Sequence, residues 1–277
     1  MGKVPSIKLN NGVEIPQFGF GVFQVPAEQT AETARAALDA GYRHIDTAQA
    51  YGNEEGVGRA LADSGLAREE VFITTKLANE HHGEAEVAQE LEKSLERLGT
   101  DHVDLYLIHW PQPGQNRYVE TWRGFEKVLA EGRARAIGVS NFTVAHLRRL
   151  AEETGTVPAV NQVELHPHLT QAPLREFHAR HGIVTEAWSP LARGGDVLTD
   201  PRITAIAEAH GKTPAQVILR WHLQVGTVVI PKSVTPSRIA ENLDVFGFTL
   251  ADDEIAAIEA LDKGSRVGPD PDQFDRA

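Results

Sequence analysis

Three residues whose side chains can hold or transfer a proton end consecutive apolar runs of the sequence, and a tyrosine follows the first of them. They are Asp46, Lys76 and His109, with Tyr51 shortly after Asp46. A lysine ammonium close to a phenol favours the ionised phenol, and an aspartate close to that lysine keeps it charged. Tyr51 can then act as a general acid while His109 orients a carbonyl oxygen. These residue types predict a site where hydride reduces a carbonyl group.

The elements that must position these residues follow a regular order along the chain. Eight short β-rich runs alternate with longer amphipathic segments that have helical periodicity, of which 31–40, 85–98 and 121–130 are examples. This order predicts the α/β class and a (β/α)8 TIM barrel in which the active site lies at the carboxyl ends of the strands. The length of 277 residues suits one barrel, so a single domain is expected over 1–277. The predicted strands are 18–22, 43–48, 71–76, 103–110, 135–140, 159–165, 183–190 and 227–233.

Local signals add detail to this barrel. Before the first strand, residues 6–15 carry an Asn-Gly pair between β-formers and predict an N-terminal β-hairpin that closes the bottom of the barrel. Thr213 and Pro214 predict the start of an extra helix before the last strand. After Leu261, a segment rich in Gly, Pro and Asp predicts a C-terminal tail over the barrel. Five glycines are predicted to end helices: Gly41, Gly65, Gly99, Gly132 and Gly182.

The composition excludes several classes of function. The net charge is −12, which disfavours a general role on nucleic acids or anionic membranes. The chain has no cysteine, so disulfides, thiolate metal sites and cysteine nucleophiles are absent. No apolar run is long enough for a signal peptide or a membrane-spanning helix, which predicts a cytoplasmic location.

Several longer stretches resemble one enzyme family across essentially the whole chain. They are GYRHIDTAQAYGNEEGVGRAL, VFITTKL, DLYLIHWP, IGVSNF, NQVELHP and IPKSVTPSRIAENL. Together they resemble the aldo-keto reductases, and AWSPLARG and KTPAQVILRWHLQ are similar to the bacterial 2,5-diketo-D-gluconate reductases of that family. The resemblance implies NADPH as cofactor, a monomer, and Asp46, Tyr51, Lys76 and His109 as the catalytic tetrad.

The resemblance also implies the residues that hold the cofactor. Ser140, Asn141 and Gln162 would bind the nicotinamide carboxamide, and Trp188 would stack on the ring, as an indole face can. Lys232 and Arg238 can form charge-assisted bonds to a 2'-phosphate at a helix N-terminus; the alternative is that both are solvated surface cations. No GxGxxG segment follows a strand, so a Rossmann cofactor site is not supported. The other residues assigned to the cofactor are Ser189, Leu191, Ser233, Val234, Glu241 and Asn242.

The substrate is expected to be a small aldehyde, ketone or 2-keto acid. Many relatives have a tryptophan after TTKL that walls the pocket, whereas this chain has Ala78. A smaller side chain predicts an opened pocket and tolerance of bulkier substrates. Phe23 and Trp110 are the expected aromatic walls.

A few residues of the sequence are also compatible with other functions. Glu164, His166 and His168 lie close together, but one loop supplies too few ligands for a metal, and none is expected. A Schiff base on Lys76 in a lyase is one alternative, although a neighbouring Asp46 would keep Lys76 protonated. A non-catalytic NADPH-binding regulatory subunit is the remaining alternative, which the intact tetrad disfavours.

Overall fold

Eight parallel strands form the centre of the molecule, as the sequence predicts. The computed structural model describes residues 4–275; the first and last residues of the predicted 1–277 domain lie outside this range. Neighbours in the sheet follow the order of the chain throughout. A short antiparallel hairpin, β1 (Ser6–Lys8) and β2 (Glu14–Pro16), precedes them. The barrel strands are β3 (Phe20–Gly21), β4 (His44–Asp46), β5 (Phe72–Leu77), β6 (Val103–Ile108), β7 (Ala134–Ser140), β8 (Val160–Glu164), β9 (Val184–Trp188) and β10 (Val228–Val229).

Main-chain hydrogen bonds between the first and last strands close the sheet into a barrel. Phe18 and Val229 form a parallel bridge, and the Gly19 amide donates to the Val229 carbonyl over 2.9 Å. Both strands at this seam are shorter than the sequence predicts. Pro231, inside the predicted last strand, has no amide hydrogen to donate and only its carbonyl takes part, accepting from the Gly21 amide. The (β/α)8 barrel is confirmed.

Ten α-helices surround the strands in the described part of the chain. Two of them, α7 (Pro201–His210) and α8 (Pro214–Gln224), lie between β9 and β10, which confirms the predicted extra helix. The Thr213 hydroxyl caps α8 by accepting from the Gln216 amide. All five glycines predicted at helix ends have positive φ, up to 107° at Gly41. The helices are α1 (Ala27–Ala40), α2 (Glu54–Asp63), α3 (Glu86–Leu98), α4 (Tyr118–Ala130), α5 (Val144–Glu153), α6 (Ala172–His181), α7 (Pro201–His210), α8 (Pro214–Gln224), α9 (Pro236–Leu243) and α10 (Asp252–Glu259).

The hairpin closes the amino-terminal end of the barrel. Leu9 and Ile15 are buried in one apolar cluster with Phe72, Leu105 and Val228 from the barrel strands. This cluster fills the bottom of the barrel with hydrocarbon and excludes water from below. Asp46, Lys76 and His109 come from the other, carboxyl ends of β4, β5 and β6. Among residues 4–275, no helix has the length and apolar character needed to cross a bilayer.

The segment after α10 has no regular secondary structure and lies across the loops that follow the strands. The Lys263 amide donates to the carbonyl of His168 over 3.1 Å, and Asp275 accepts from the Gly114 amide over 2.8 Å. Between these points, the amides of Val267 and Gly268 donate to the Glu164 carboxylate. The predicted tail over the barrel is therefore confirmed, and it borders the carboxyl ends of the strands.

Candidate active site

The ammonium group of Lys76 connects the predicted tetrad. Its Nζ atom lies 2.7 Å from Asp46 Oδ1, 2.9 Å from the carbonyl oxygen of Thr47 and 3.3 Å from the hydroxyl of Tyr51. Three N–H bonds thus meet three oxygen atoms. Lys76 is fully buried and Asp46 is nearly so, so this ion pair is shielded from water. The structure brings three of the four tetrad residues into direct contact.

Strand register explains why these residues meet. Parallel pairing sets Gly21 opposite Asp46, and Asp46 opposite Thr74. Lys76 comes two residues later on β5 and therefore points to the same side, one layer closer to the carboxyl end. Tyr51 lies in a single 3-10 turn, Gln49–Tyr51, directly after β4. The side chain of Gln49 fixes this turn by accepting from the amide of Ala78 over 3.0 Å.

Local electrostatics set the protonation states of Tyr51 and Lys76. Burial raises the pKa of the Tyr51 phenol; Lys76 acts in the opposite direction, as the sequence analysis expected, but does not outweigh burial. Burial alone would lower the pKa of Lys76, yet attraction from Asp46 and Tyr51 raises it overall. At neutral pH the site therefore contains a protonated phenol and a charged lysine.

His109 is a neutral imidazole at the edge of the same group. Its ring centre lies 5.6 Å from that of Tyr51, with the rings nearly perpendicular. Burial lowers the pKa of His109 to about 3, and the charges of Lys76 and His82 contribute. A neutral ring retains one donor nitrogen and one acceptor nitrogen. His109 can therefore donate a hydrogen bond to an oxygen atom held beside Tyr51.

A second polar layer lies beneath the tetrad. The Gln162 amide Nε2 donates to Asp46 Oδ2 over 2.7 Å and to Glu186 Oε2 over 2.9 Å. Glu186 is fully buried and stands opposite Gln162 in the pairing of β8 with β9. Glu186 is not among the site residues predicted from the sequence. The signal was a single charged residue in the predicted strand 183–190.

The residues assigned to the nicotinamide group form one hydrogen-bonded set at the ends of β7, β8 and β9. The Trp188 indole Nε1 donates to Asn141 Oδ1 over 2.8 Å, and Asn141 Nδ2 donates to the carbonyl of His109 over 3.0 Å. The Ser140 hydroxyl donates to the Gln162 carbonyl over 2.8 Å. Asn141 has φ of 64°, a left-handed conformation that asparagine tolerates better than most residues. Hydrogen bonds thus link Trp188 to Asn141, Asn141 to Ser140 and Ser140 to Gln162, and Asn141 connects the set to the main chain of His109.

The remaining predicted cofactor residues continue along the same edge of the barrel. Ser189 directly follows β9 with φ of 48°, and Leu191, in the next turn, packs against the apolar core. Ser233 and Val234 form the turn before α9, in which the Thr235 amide donates to the Ser233 hydroxyl over 3.1 Å. Asn242 is buried on α9.

Two cations without an acidic partner lie at the start of α9. Lys232 and Arg238 are exposed, and in the described part of the chain neither forms an ion pair. Glu241 lies on the same helix, but its carboxylate accepts from the Thr213 hydroxyl over 2.9 Å. An uncompensated positive region at a helix N-terminus is a suitable place for a phosphate group.

Aromatic side chains form the walls around the tetrad. Phe23, which is 47% exposed, lies 5.0 Å from Tyr51 between ring centres, and Trp110 lies 6.4 Å from Trp188. Trp110 also packs against Phe274 of the tail, with 4.5 Å between ring centres, a contact that was not predicted from the sequence. The signal for Phe274 was one aromatic residue in a segment otherwise rich in Gly, Pro and Asp.

Ala78 lies directly after β5 and is only 1% exposed. Its methyl group is therefore covered by neighbouring atoms and adds almost no surface to the cleft. The effect of this residue on substrate size stays a prediction.

The residues weighed as a metal site have protein partners instead. Glu164 accepts from His166 Nε2 over 2.8 Å and from the tail amides of Val267 and Gly268 over 2.6 and 2.9 Å. His168 lies 3.6 Å from Asp196. Within residues 4–275, no cluster of three or more His, Asp or Glu side chains has an arrangement suited to a metal ion.

Comparison with known proteins identifies the family. A model described as the Aldo/keto reductase family matches residues 17–263, and the chain therefore belongs to this family. An aldo-keto reductase of Mycolicibacterium smegmatis is 57% identical over 270 residues, with 98% of both chains covered. The methylglyoxal reductase DkgA of Escherichia coli strain K12 is 52% identical over 269 residues, with 97% of both chains covered. Among solved structures, a mutant of Gox0644 in complex with NADPH is 50% identical, covers 98% of both chains and superposes with a TM-score of 0.93.

These relationships define the class of enzyme. The chain is an NADPH-dependent reductase of carbonyl compounds, which confirms the family, the enzyme class and the cofactor predicted from the sequence.

Proposed function

We propose that this protein reduces a small aldehyde, ketone or 2-keto acid to the corresponding alcohol, with Tyr51 as the general acid. The observation that carries the proposal is the contact of the buried Lys76 ammonium with both Asp46 and the Tyr51 hydroxyl. A protonated phenol in an apolar cleft, beside a fixed positive charge, is suited to giving its proton to an oxygen atom that becomes negative.

The residues of this chain then have distinct roles. NADPH, when bound, supplies the hydride that is added to the carbonyl carbon. His109, which is neutral, donates a hydrogen bond to the carbonyl oxygen and orients it toward Tyr51. Tyr51 transfers its proton from Oη to this oxygen, which completes the alcohol. Lys76 stabilises the phenolate that Tyr51 leaves behind, and Asp46 holds Lys76 in place.

The residues present fit NADPH at both ends of the cleft. The uncompensated cations Lys232 and Arg238 suit a 2'-phosphate, which NADH lacks. The half-buried Trp188 presents an aromatic face next to Asn141, whose amide suits a carboxamide. We infer that Ser140 and Gln162, which lie on adjacent strands, also bind the carboxamide.

The substrate is inferred from the cleft and from a relative. A relative at 52% identity is named a methylglyoxal reductase, which supports short 2-oxoaldehydes as one substrate class. The aromatic walls formed by Phe23, Trp110 and Phe274 favour substrates with an apolar part. The monomeric state and cytoplasmic location predicted from the sequence stay predictions.

Two alternative functions are less well supported by the site. A Schiff base would require Lys76 to lose its proton, but Asp46 and Tyr51 raise the pKa of Lys76 and occupy its N–H bonds. A non-catalytic NADPH-binding subunit would have no need of the buried ion pair beside a phenol.

The decisive experiment measures loss of NADPH absorbance with a panel of aldehydes, 2-keto acids and diketones. We expect turnover by the wild type and a fall of about 100-fold or more in Tyr51→Phe, as for loss of a general acid. Tyr118→Phe, which removes a hydroxyl on α4, is the matched control and should retain activity. Binding of NADPH without turnover of any carbonyl would favour the regulatory subunit, and borohydride trapping of the substrate on Lys76 would favour the lyase.

A further inference from the structure

A buried glutamate lies next to the tetrad and has no part in the mechanism given above. Glu186 is on β9, paired with Val228 on one side and Gln162 on the other, and its side chain is fully buried. The same Gln162 nitrogen that donates to Glu186 also donates to Asp46. One amide group therefore connects the carboxyl of Glu186 to the carboxylate that holds Lys76.

The charges around Glu186 do not balance if it is ionised. The titratable groups that face it are His44 and Asp46 from β4, Lys76 from β5, and Tyr51 above them. Lys76 is one cation, and it already contacts Asp46 at 2.7 Å. A second carboxylate in this water-excluded interior would have no cation of its own.

The hydrogen bonds of Glu186 are consistent with a neutral acid. Its Oε2 atom accepts from Gln162, whereas Oε1 has no hydrogen-bond partner among the described residues. The nearest basic nitrogen, His44 Nε2, is 3.6 Å from Oε1, which is too long for a hydrogen bond. His44 Nε2 lies instead 3.0 Å from the Thr74 hydroxyl. A buried carboxylate would require more donors than one amide group supplies.

We propose that Glu186 is a positioning residue that must stay protonated. While Glu186 is neutral, Lys76 keeps its contacts with Asp46 and Tyr51, and Tyr51 can donate its proton. Ionisation of Glu186 repels Asp46 through the shared Gln162 amide and adds a negative charge that competes for Lys76. It also makes the Tyr51 proton harder to give up. The inference rests on the role of Tyr51 proposed above.

The groups around Glu186 set the pH at which it ionises. Burial, together with repulsion from Asp46, raises the pKa of Glu186 to about 8. Burial lowers the pKa of His44 to about 4, so His44 is neutral at neutral pH and does not supply the missing positive charge. Reduction should therefore decline as the pH rises through about 8.

The first test observes the carboxyl group itself in the protein without added cofactor. The carboxylic-acid C=O stretch is recorded by infrared spectroscopy as a function of pH, and the spectra of Glu186→Gln are subtracted from those of the wild type. We expect a protonated-carboxyl band at about pH 6 that disappears with a midpoint near the raised pKa. A difference spectrum without such a band at any pH above about 5 would overturn the proposal.

The second test follows stability and rate. A carboxyl whose pKa is raised by folding binds its proton more tightly in the folded state, so the wild type loses stability between its ordinary pKa of 4.5 and about 8. The melting temperature of Glu186→Gln should therefore rise relative to the wild type over this range. The alkaline decline of kcat, normalised to each protein's own rate at about pH 6, should move upward by about one pH unit or more in Glu186→Gln.

The control is Glu54→Gln, which changes another buried glutamate outside the site. Glu54 is paired with Arg97 at 2.7 Å and accepts from Thr75, so its replacement affects stability but not the charge beneath Asp46. Its alkaline decline should match the wild type. An unchanged decline in Glu186→Gln would contradict the proposal. Full activity in Tyr51→Phe would instead contradict the proposed function, while the infrared titration would still decide the state of Glu186.

Discussion

The indole nitrogen of Trp188 donates a hydrogen bond to the side-chain oxygen of Asn141 over 2.8 Å. The residue assigned to stacking on the nicotinamide ring is thus directly connected to a residue assigned to its carboxamide. Asn141 in turn donates to the main chain of His109. One hydrogen-bond chain therefore links the orientation of the ring to the imidazole that orients the substrate.

Removal of this indole N–H should weaken cofactor binding while the aromatic face remains. In Trp188→Phe, Asn141 Oδ1 loses its donor, and a lost hydrogen bond of about 1 kcal/mol corresponds to roughly a fivefold rise in the Kd for NADPH. Isothermal titration calorimetry measures this change. The control is Trp122→Phe, which removes a core indole that donates to the Thr156 carbonyl. This change should lower Tm without changing the Kd for NADPH. Equal Kd values for wild type and Trp188→Phe would show that the bond does not matter.

The size of the residue after β5 should control substrate range. Ala78→Trp is expected to reduce kcat/KM for bulky ketones more than for short aldehydes, because an indole has to displace the atoms that now cover Ala78 and leaves less room beside β5. Ala78 is buried, so each assay needs a parallel melting curve to confirm folding. Rates that are indistinguishable across a substrate panel would contradict the proposed opening of the pocket at Ala78.

Cofactor preference should depend on the free cations of the α9 region. Arg238→Ala is expected to raise the Kd for NADPH by about tenfold or more, since charge-assisted hydrogen bonds contribute about 1.5–3 kcal/mol, and to leave the Kd for NADH almost unchanged. Titration of both cofactors at two salt concentrations measures the effect. Arg59→Ala, which removes an exposed arginine from α2, should alter neither value. A similar loss for both cofactors would argue against a phosphate contact.

The carboxylate of Glu164 should hold the tail in place. Burial opposes its ionisation, but hydrogen bonds from His166, Val267 and Gly268 outweigh this and lower the pKa of Glu164. Glu164→Gln should reduce the hydrogen-exchange protection of the Val267 and Gly268 amides and cost about 1–3 kcal/mol. In the wild type, protection should be complete above the ordinary carboxyl pKa and be lost as the pH falls through the lowered value.

The matched control for the tail is Glu153→Gln, which changes a surface glutamate on α5 that pairs with Arg149. Exchange at the tail amides should be unaffected in that variant. Tail protection that is the same in Glu164→Gln and wild type would show that other contacts, such as that between Phe274 and Trp110, are sufficient.

Local sequence patterns predict most of the fold because strands and helices differ in their apolar period and because helix ends carry specific residues. Thr213 and Gly41 are examples whose roles were predicted and are confirmed. The contact of Lys76 with Asp46 and Tyr51 could be predicted because the barrel brings strand ends together, while the catalytic roles of these residues stay a prediction. The short seam strands could not, since their length depends on hydrogen bonds between residues at opposite ends of the barrel sequence.

Two features of the site depend on contacts that no local pattern specifies. Glu164 was considered next to two histidines as a metal ligand, but its donors come from the tail more than a hundred positions later in the chain. Glu186 is a single acidic residue in a strand, and its protonation state depends on Asp46, which comes from a strand far earlier in the chain. Phe274 was missed for the same reason, because its partner Trp110 is distant in sequence.

The placement of the tryptophans gives the protein two separate fluorescent reporters. The chain has four tryptophans, of which Trp110 and Trp188 border the cleft and Trp122 and Trp221 are fully buried in the core. Reduced nicotinamide absorbs where tryptophan emits, so we expect its binding to quench the cleft pair far more than the core pair. In a protein that carries both Trp110→Phe and Trp188→Phe, only the core pair would emit, and this emission would follow unfolding. In the wild type, a single unlabelled sample would report both cofactor occupancy and the integrity of the barrel.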